Sequence, residues 1–325
     1  MSVIKKKGKK LKADTNTGFG ANASNYGGRF INKDGSANIK KTGIGFIESI
    51  SWYHTMLNIP SWKFMAIIFV FYGIVNFIFA TIYCLIGVEH LNGIIANSFT
   101  DKFGQAFFFS AQTFTTVGYG HISPTGFWAS FVASVEALFG LLSFAIATGL
   151  FYGRFSKPKA HIRFSENAVI APFQDSKALM IRISPYKNTN LTDAEAKVTL
   201  GMRVKENGTE VNRFFSLDLE YDKINALTLS WTLVHPITED SPLYGFSKDD
   251  FKNNKGEIII YLKAFDEMYS NTVAIRSSYT FEEVVYGVKF VQMYENSKDN
   301  SRTVLHVNKL NAFSEIVFEE VLTEE

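Results

Sequence analysis

Residues 115 to 120 read Thr115-Thr116-Val117-Gly118-Tyr119-Gly120. The chemistry available to this string lies in its backbone. Gly118 and Gly120 permit backbone angles that put successive carbonyls on one side of the strand, which a Cβ would oppose. Four such strands around one axis would replace the hydration shell of a potassium ion with rings of carbonyl oxygens. The Thr116 hydroxyl can add a further oxygen ring at the cavity end. Val117 and Tyr119 are expected to pack outward against the helix that precedes them, holding the ring diameter. The competing reading is a Gly-rich hairpin turn, and the elements around the string decide between the two.

Two long apolar runs flank it. Phe64 to Val88 holds 25 residues without a charge, closed by Trp62-Lys63 on one side and Glu89 on the other. At ~1.5 Å per residue a helix of this length covers a hydrocarbon core of ~30 Å with some tilt, and the Trp-Lys pair suits a membrane interface. Trp128 to Gly153 carries one ionisable residue, Glu136, and is followed by Arg154, Lys157 and Lys159. Both outer flanks are basic, so both termini are expected in the cytoplasm. Phe103 to Thr115 is apolar but too short to cross. It is expected to re-enter as a short pore helix, which is permitted where protein or a water-filled path satisfies its backbone. Its C-terminal carbonyls, the negative end of its dipole, would stabilise a cation in the central cavity. Phe107, Phe108, Phe109 and Phe114 form a packing cuff.

Ile47 to Ile59 mixes apolar and polar residues and reads as a helix along the membrane surface, with an ordinary globular helix as the alternative. The first dozen residues carry six lysines and no acid. Residues 1–28 are expected to be a disordered basic arm without a cleavable leader. No nucleic-acid fold signature follows the lysines, so nucleic acid is not an expected partner.

After Pro158 the pattern becomes period-two runs: ALMIRIS, AKVTLGMRV, RFFSLDLEY, LTLSWTLV, GEIIIYLKAF, NTVAIRSSYTF and YGVKFVQMY. Turn signals separate them, among them Glu206-Asn207-Gly208 and 253–256. Their spacing argues for an antiparallel β-sandwich over 158–325. With 46% hydrophobic and 20% charged residues, the chain is neither disordered nor wholly embedded in membrane. Its single cysteine, Cys84, excludes a disulfide framework within the chain and a cysteine-based zinc site. The net charge of +2 hides a polarity: residues 1–159 carry 15 basic and 6 acidic side chains, and 160–325 carry 18 and 25. No nucleophile-base pair, metal cluster or phosphate loop stands out, so an enzyme is not expected.

With motif, hairpin and β-region in place, the chain resembles the inward-rectifier potassium channels, most closely their bacterial members. The strings that carry the resemblance are RFINKDG (29–35), SAQTFTTVGYG (110–120), FSKPK (155–159), HPITEDSPLYGFS (235–247) and RSSYTFEEVVYGVKF (276–290). The resemblance implies a homotetramer in the cell membrane, the bacterial inner membrane. Each chain would supply an N-terminal cytoplasmic strand segment (29–46), an interfacial slide helix (47–61) and a two-span pore module (62–157: outer helix, re-entrant pore helix and filter, inner helix). A cytoplasmic immunoglobulin-like all-β sandwich (158–325) would complete it. It implies potassium bound at Thr116, Val117, Gly118 and Tyr119, with Gly120 closing the filter, and no cofactor beyond permeant potassium. Phe144, Thr148 and Tyr152, spaced by four, would line the pore on one helical face, Tyr152 as a gate that excludes water. The alternative places Phe144 and Tyr152 between subunits. Gly140 would be a hinge or merely a point of close helix approach. Lys63, Arg154, Lys157 and Lys159 would bind anionic lipids, possible phosphoinositides among them, worth ~1 kcal/mol per charge, though topological anchoring needs the same residues. Met268, Tyr269, Ser270, Asn271 and Thr272 match the cytoplasmic gate loop. Voltage gating is included among the expected properties.

Several residues depart from the family pattern. Phe144 stands where strong rectifiers carry an acid. Gln112 and His121 replace the ion pair behind the filter, Ser270 stands where glycine is common, and Ser61 replaces a lipid-binding arginine. His121 is either a pH-responsive group at the outer mouth or a silent exposed histidine. Glu136 is expected to be hydrogen-bonded inside the bundle, behind the filter. Two rival readings remain open: a membrane-anchored ligand-binding β-sandwich, and a weakly selective cation channel.

Overall fold

The computed structural model describes residues 29–45, 51–95, 97–206 and 209–316. The basic arm, the start of the interfacial helix at 47–50 and the turn residues 207–208 lie outside them. The chain divides into two compact units, residues 42–157 and residues 1–41 with 158–325.

The first unit is helical. A short helix α1 (Trp52–Asn58) precedes the outer helix α2 (Ser61–Ile86). The pore helix α3 (Phe99–Phe114) and the inner helix α4 (Phe127–Phe155) follow. A two-residue pairing of β1 (Leu91–Asn92) with β2 (Ser123–Pro124) closes the loops between them. Helices α2 and α4, of 26 and 29 residues, are long and apolar enough to cross a membrane. Most of their large apolar side chains stay exposed on the chain, as lipid-facing or subunit-facing surfaces do and soluble core helices do not. Where the helices meet, the small residues Ala80, Ala106, Ala129, Ala133 and Gly140 are buried beside the aromatic rings of Phe64, Tyr83 and Phe109. Without a hydrophobic drive between helices in lipid, such residues let backbones approach for van der Waals contact.

The pore helix begins at Phe99, not at Phe103. Ser98 accepts a hydrogen bond from the Asp101 backbone N–H, and Asp101 stands in the first turn. This Ser-x-x-Asp cap adds a turn that the apolar run alone did not reveal.

The second unit is a sandwich of two five-stranded sheets. One contains β3 (Ile162–Phe164), β4 (Ala168–Phe173), β5 (Ser176–Pro185), β9 (Trp231–Pro236) and β12 (Val284–Tyr286). The other contains β6 (Leu191–Glu206), β7 (Thr209–Leu217), β8 (Lys223–Ala226), β10 (Gly256–Asp266) and β11 (Asn271–Thr280). Ile170, Leu179 and Ile181 from the first sheet share one core with Leu200, Ile258 and Ile260 from the second. Three expectations need correction. Leu227 to Ser230 is not strand: Leu227 donates its N–H to the Leu191 carbonyl and plugs the core from a turn. The YGVKFVQMY run is broken at Gly287, whose φ of 83° no extended strand holds. The sandwich is not wholly antiparallel, because β12 runs parallel to β4.

The N-terminal segment belongs to this second unit, but as a tight loop rather than a strand, with one isolated bridge, Ile31 to Ala37. The Glu257 carboxylate, itself buried, accepts from the Phe30 N–H at 2.6 Å and the Ile31 N–H at 3.0 Å. Ser277 donates to the Lys33 carbonyl and Ser278 to that of Ile31. Arg29 and Lys33 both pair with Glu283.

Candidate functional site

The filter string leaves the C-terminal end of α3. Thr116, Gly118 and Gly120 have φ of 59°, 52° and 80°, while Val117 and Tyr119 between them are not in the left-handed region. In an extended strand successive carbonyls point to opposite sides. Alternating the hand of the backbone at every second residue turns them to one side instead. Glycine takes the positive angle freely; Thr116 takes it against its Cβ, at a cost of ~1–2 kcal/mol. The Gln112 carbonyl holds the turn into the filter, accepting from the Val117 N–H at 2.9 Å and the Gly118 N–H at 3.3 Å.

Val117 and Tyr119 stand on the outside of the filter string. They are 53% and 79% exposed on the single chain. Much of both side chains is thus left for something outside the single chain to cover.

Behind the filter the inner helix meets the pore helix at two rungs, each four residues apart on its helix. At Gly140 a Cβ would stand 1.9 Å from the Phe114 carbonyl oxygen, so close helix approach is what this glycine provides. One turn earlier the buried Glu136 carboxyl contacts the Ser110 hydroxyl through Oε1 and accepts from the Tyr83 hydroxyl through Oε2 at 2.6 Å. Ser110 also lies 2.9 Å from Asn76 Oδ1. Glu136 is therefore hydrogen-bonded inside the bundle, as its position suggested. Its partners Ser110 and Tyr83, and Asn76 beyond Ser110, went unnoticed; the signal was there, as polar atoms within otherwise apolar helices.

Phe144 and Tyr152, 73% and 74% exposed, lie with the exposed Thr148 on one face of α4. His121 is exposed, and its carbonyl lies 2.1 Å from where a Gly93 Cβ would stand, which fixes the outer loop.

The basic residues are not equivalent. Arg154 donates to the Met56 carbonyl at 2.6 Å and the Ile59 carbonyl at 2.9 Å, reaches the Ser61 hydroxyl, and stacks on the Phe64 ring at 4.6 Å. Its guanidinium satisfies the open carbonyls at the end of α1, so it joins the interfacial helix to the inner helix instead of standing free for lipid. Gly153 allows that approach, with Leu57 and Tyr53 against it. Lys157 donates to Asn58 Oδ1 at 2.6 Å. Lys63 lies over the Trp62 ring, and Lys159 belongs to the other unit.

In the β unit, the matched gate loop is shorter than 268–272. The turn between β10 and β11 comprises Glu267 to Ser270, with Met268 and Tyr269 at its tip, and Asn271 and Thr272 already pair with Asp266 and Phe265. Ser270 has a φ of 46°, the conformation a glycine would take without strain.

Residues 162–323 match the model of the inward rectifier potassium channel C-terminal domain, and 68–157 match an ion channel model. The inward rectifier potassium channel Kirbac3.1 of Paramagnetospirillum magnetotacticum is 32% identical over 85% of this chain and 92% of its own. The ATP-sensitive inward rectifier potassium channel 12 of Gallus gallus is 28% identical over 81% of this chain. The channel irk-1 of Caenorhabditis elegans is 25% identical over 84%. The chain spans only 66% and 54% of these two animal relatives. Voltage gating gains no support from these matches and fits an inward rectifier poorly; the apolar runs 64–88 and 128–153 hold one acidic or basic side chain, Glu136, and it is engaged in hydrogen bonds. With that bacterial relative 32% identical and matched over nearly its whole length, and with the ion channel and C-terminal domain models matched in turn along the chain, the chain belongs to the inward rectifier potassium channel family.

Proposed function

We propose that the chain forms a homotetrameric channel that conducts potassium passively through the carbonyls of Thr116, Val117, Gly118, Tyr119 and Gly120. The observation that carries this is the alternation of backbone hand at Thr116, Gly118 and Gly120, directly after a pore helix held between two apolar helices. A dehydrating potassium ion would exchange water for these oxygens, and the pore-helix dipole would favour a cation in the cavity below. The exposure of Val117 and Tyr119 supports the tetramer, since a neighbouring chain would supply the packing that one chain lacks.

Phe144, Thr148 and Tyr152 line the inner pore, and Tyr152 closes it by excluding water. Both termini face the cytoplasm of a bacterial inner membrane, and anionic lipids act at Lys63, Lys157 and Lys159. Arg154 serves them indirectly by joining α1 to α4, and the turn at 267–270 contributes a second constriction. Rubidium uptake into liposomes holding the purified protein, with barium as blocker, tests the proposal. Barium-sensitive uptake that sodium does not match is expected; absent uptake, or sodium passing as readily, overturns it.

A further inference from the structure

Among the described residues, no lysine or arginine pairs with Glu136, although its side chain is fully buried among three helices. The hydrogen-bond donors around it can be counted. The Asn76 Nδ2 donates to the Tyr72 carbonyl at 2.7 Å, which fixes the amide and turns Oδ1 toward Ser110 at 2.9 Å. The Ser110 hydroxyl has one proton and two acceptors within reach, Asn76 Oδ1 and Glu136 Oε1; the amide oxygen has no proton to offer, whereas a carboxyl can carry one, so both contacts are met only if Ser110 gives its proton to Asn76. The Ser110 oxygen is then left only its acceptor capacity for Glu136 Oε1, and two acceptors without a proton between them repel. Tyr83 gives its own proton to the other oxygen, Oε2. One arrangement satisfies every contact: Oε1 carries a proton and donates it to Ser110. An ionised carboxylate here would be buried without a cation, at a cost of several kcal/mol.

We infer that Glu136 is held as a neutral carboxylic acid whose donated hydrogen bond to Ser110 makes it a positioning residue for the selectivity filter. Its rung lies one helical turn from the contact of Gly140 with Phe114, and Phe114 is the last residue of the pore helix before the filter. The Gly140 rung sets how near the two helices come. The Glu136 rung sets where the pore helix sits along the inner one, and with it the height and spacing of the carbonyl rings. Tyr83 and Asn76 tie the same cluster to the outer helix, so all three helices are referenced to one proton-donating group.

This inference rests on the filter reading above, and the experiment separates the two. Wild type, Glu136→Gln and Ser110→Ala are compared in liposomes for rubidium and sodium permeability, and the infrared spectrum of Glu136→Gln is subtracted from that of wild type at neutral pH. The glutamine amide can donate to Ser110 and accept from Tyr83, so Glu136→Gln should keep the wild-type permeability ratio. Ser110→Ala should lower it about tenfold, the scale of one lost buried hydrogen bond. The difference spectrum should contain the carbonyl stretch of a protonated carboxyl. Absence of that band, or loss of selectivity in Glu136→Gln, overturns the neutral acid. An unchanged ratio in Ser110→Ala overturns the positioning role. Failure of wild type itself to discriminate would sink the filter reading and the positioning role, leaving the infrared band to decide the protonation.

Discussion

Replacing Gly140 by alanine tests the packing of the inner helix against the filter support. In an open helical position the change stabilises by ~1 kcal/mol, because alanine loses less backbone entropy than glycine. At Gly140 the added Cβ would stand 1.9 Å from the Phe114 oxygen, 2.8 Å from its carbonyl carbon and 3.0 Å from its Cα. All three atoms are backbone, so no side-chain rotation relieves the contact. Restoring ordinary contact requires the helices to part by about 1 Å, and overpacking of this kind costs ~1–3 kcal/mol. The net expectation is a loss of up to roughly 2 kcal/mol, displacement of Phe114 and misplacement of the filter that begins two residues later. Gly73 is the control, since nothing lies within 4 Å of its added Cβ. Thermal unfolding in mild detergent and rubidium flux from liposomes are read for both variants. Gly140→Ala should unfold earlier than wild type and lose most of its flux, while Gly73→Ala should match or exceed wild type in stability. A Gly140→Ala protein as stable as Gly73→Ala but slow in flux would favour a hinge. One equal to it in both assays would refute the packing argument.

Truncating the inner gate in Tyr152→Ala should raise basal flux at equal expression, and unchanged or lower flux would remove Tyr152 from the constriction. Neutralising Lys157 and Lys159 together should weaken sedimentation with anionic vesicles while leaving neutral vesicles unaffected; equal binding to anionic vesicles would leave only an anchoring role. His235 lies buried between the Asp218 carbonyl at 2.6 Å and the Ser241 hydroxyl at 2.8 Å, and burial holds its pKa below the usual histidine value. The unfolded chain then takes up a proton that the folded one refuses, so stability should fall as pH drops below about 6.5. Melting of the protein across that range should show the loss, and a His235→Gln variant with the same pH dependence would contradict it.

The spans and the filter were legible because each is written in consecutive residues: an uncharged run long enough for the bilayer, and a glycine at alternate positions. The sandwich was legible in outline for the same reason, with β5, β6, β10 and β11 found from period-two alternation. What escaped was non-local. Glu136 meets partners 26 and 53 residues away, and no local pattern names them. The parallel pairing of β12 with β4 joins positions more than a hundred residues apart. Arg154 looked like a free membrane cation because its acceptors are backbone carbonyls, which no sequence displays. Leu227 imitated a strand residue because a turn that plugs a core is as apolar as a strand that lines one.

The loop at Phe30 and Ile31 bears on the order in which the chain can be made. Its carboxylate receptor, Glu257, lies 227 residues further along. At synthesis rates of 5–20 residues per second, the loop has emerged about 10–50 s before its binding partner exists. The whole helical unit is completed in that interval, as an insertion between two pieces of one β unit. Those pieces can join only on one side of a membrane, so the segment inserted between residues 41 and 158 must cross an even number of times. A chain in which either apolar helix failed to insert would leave the waiting loop and Glu257 on opposite sides of the membrane, and the hydrogen bonds between them could not form. Docking of the loop on Glu257 thus reports that the hairpin has been inserted.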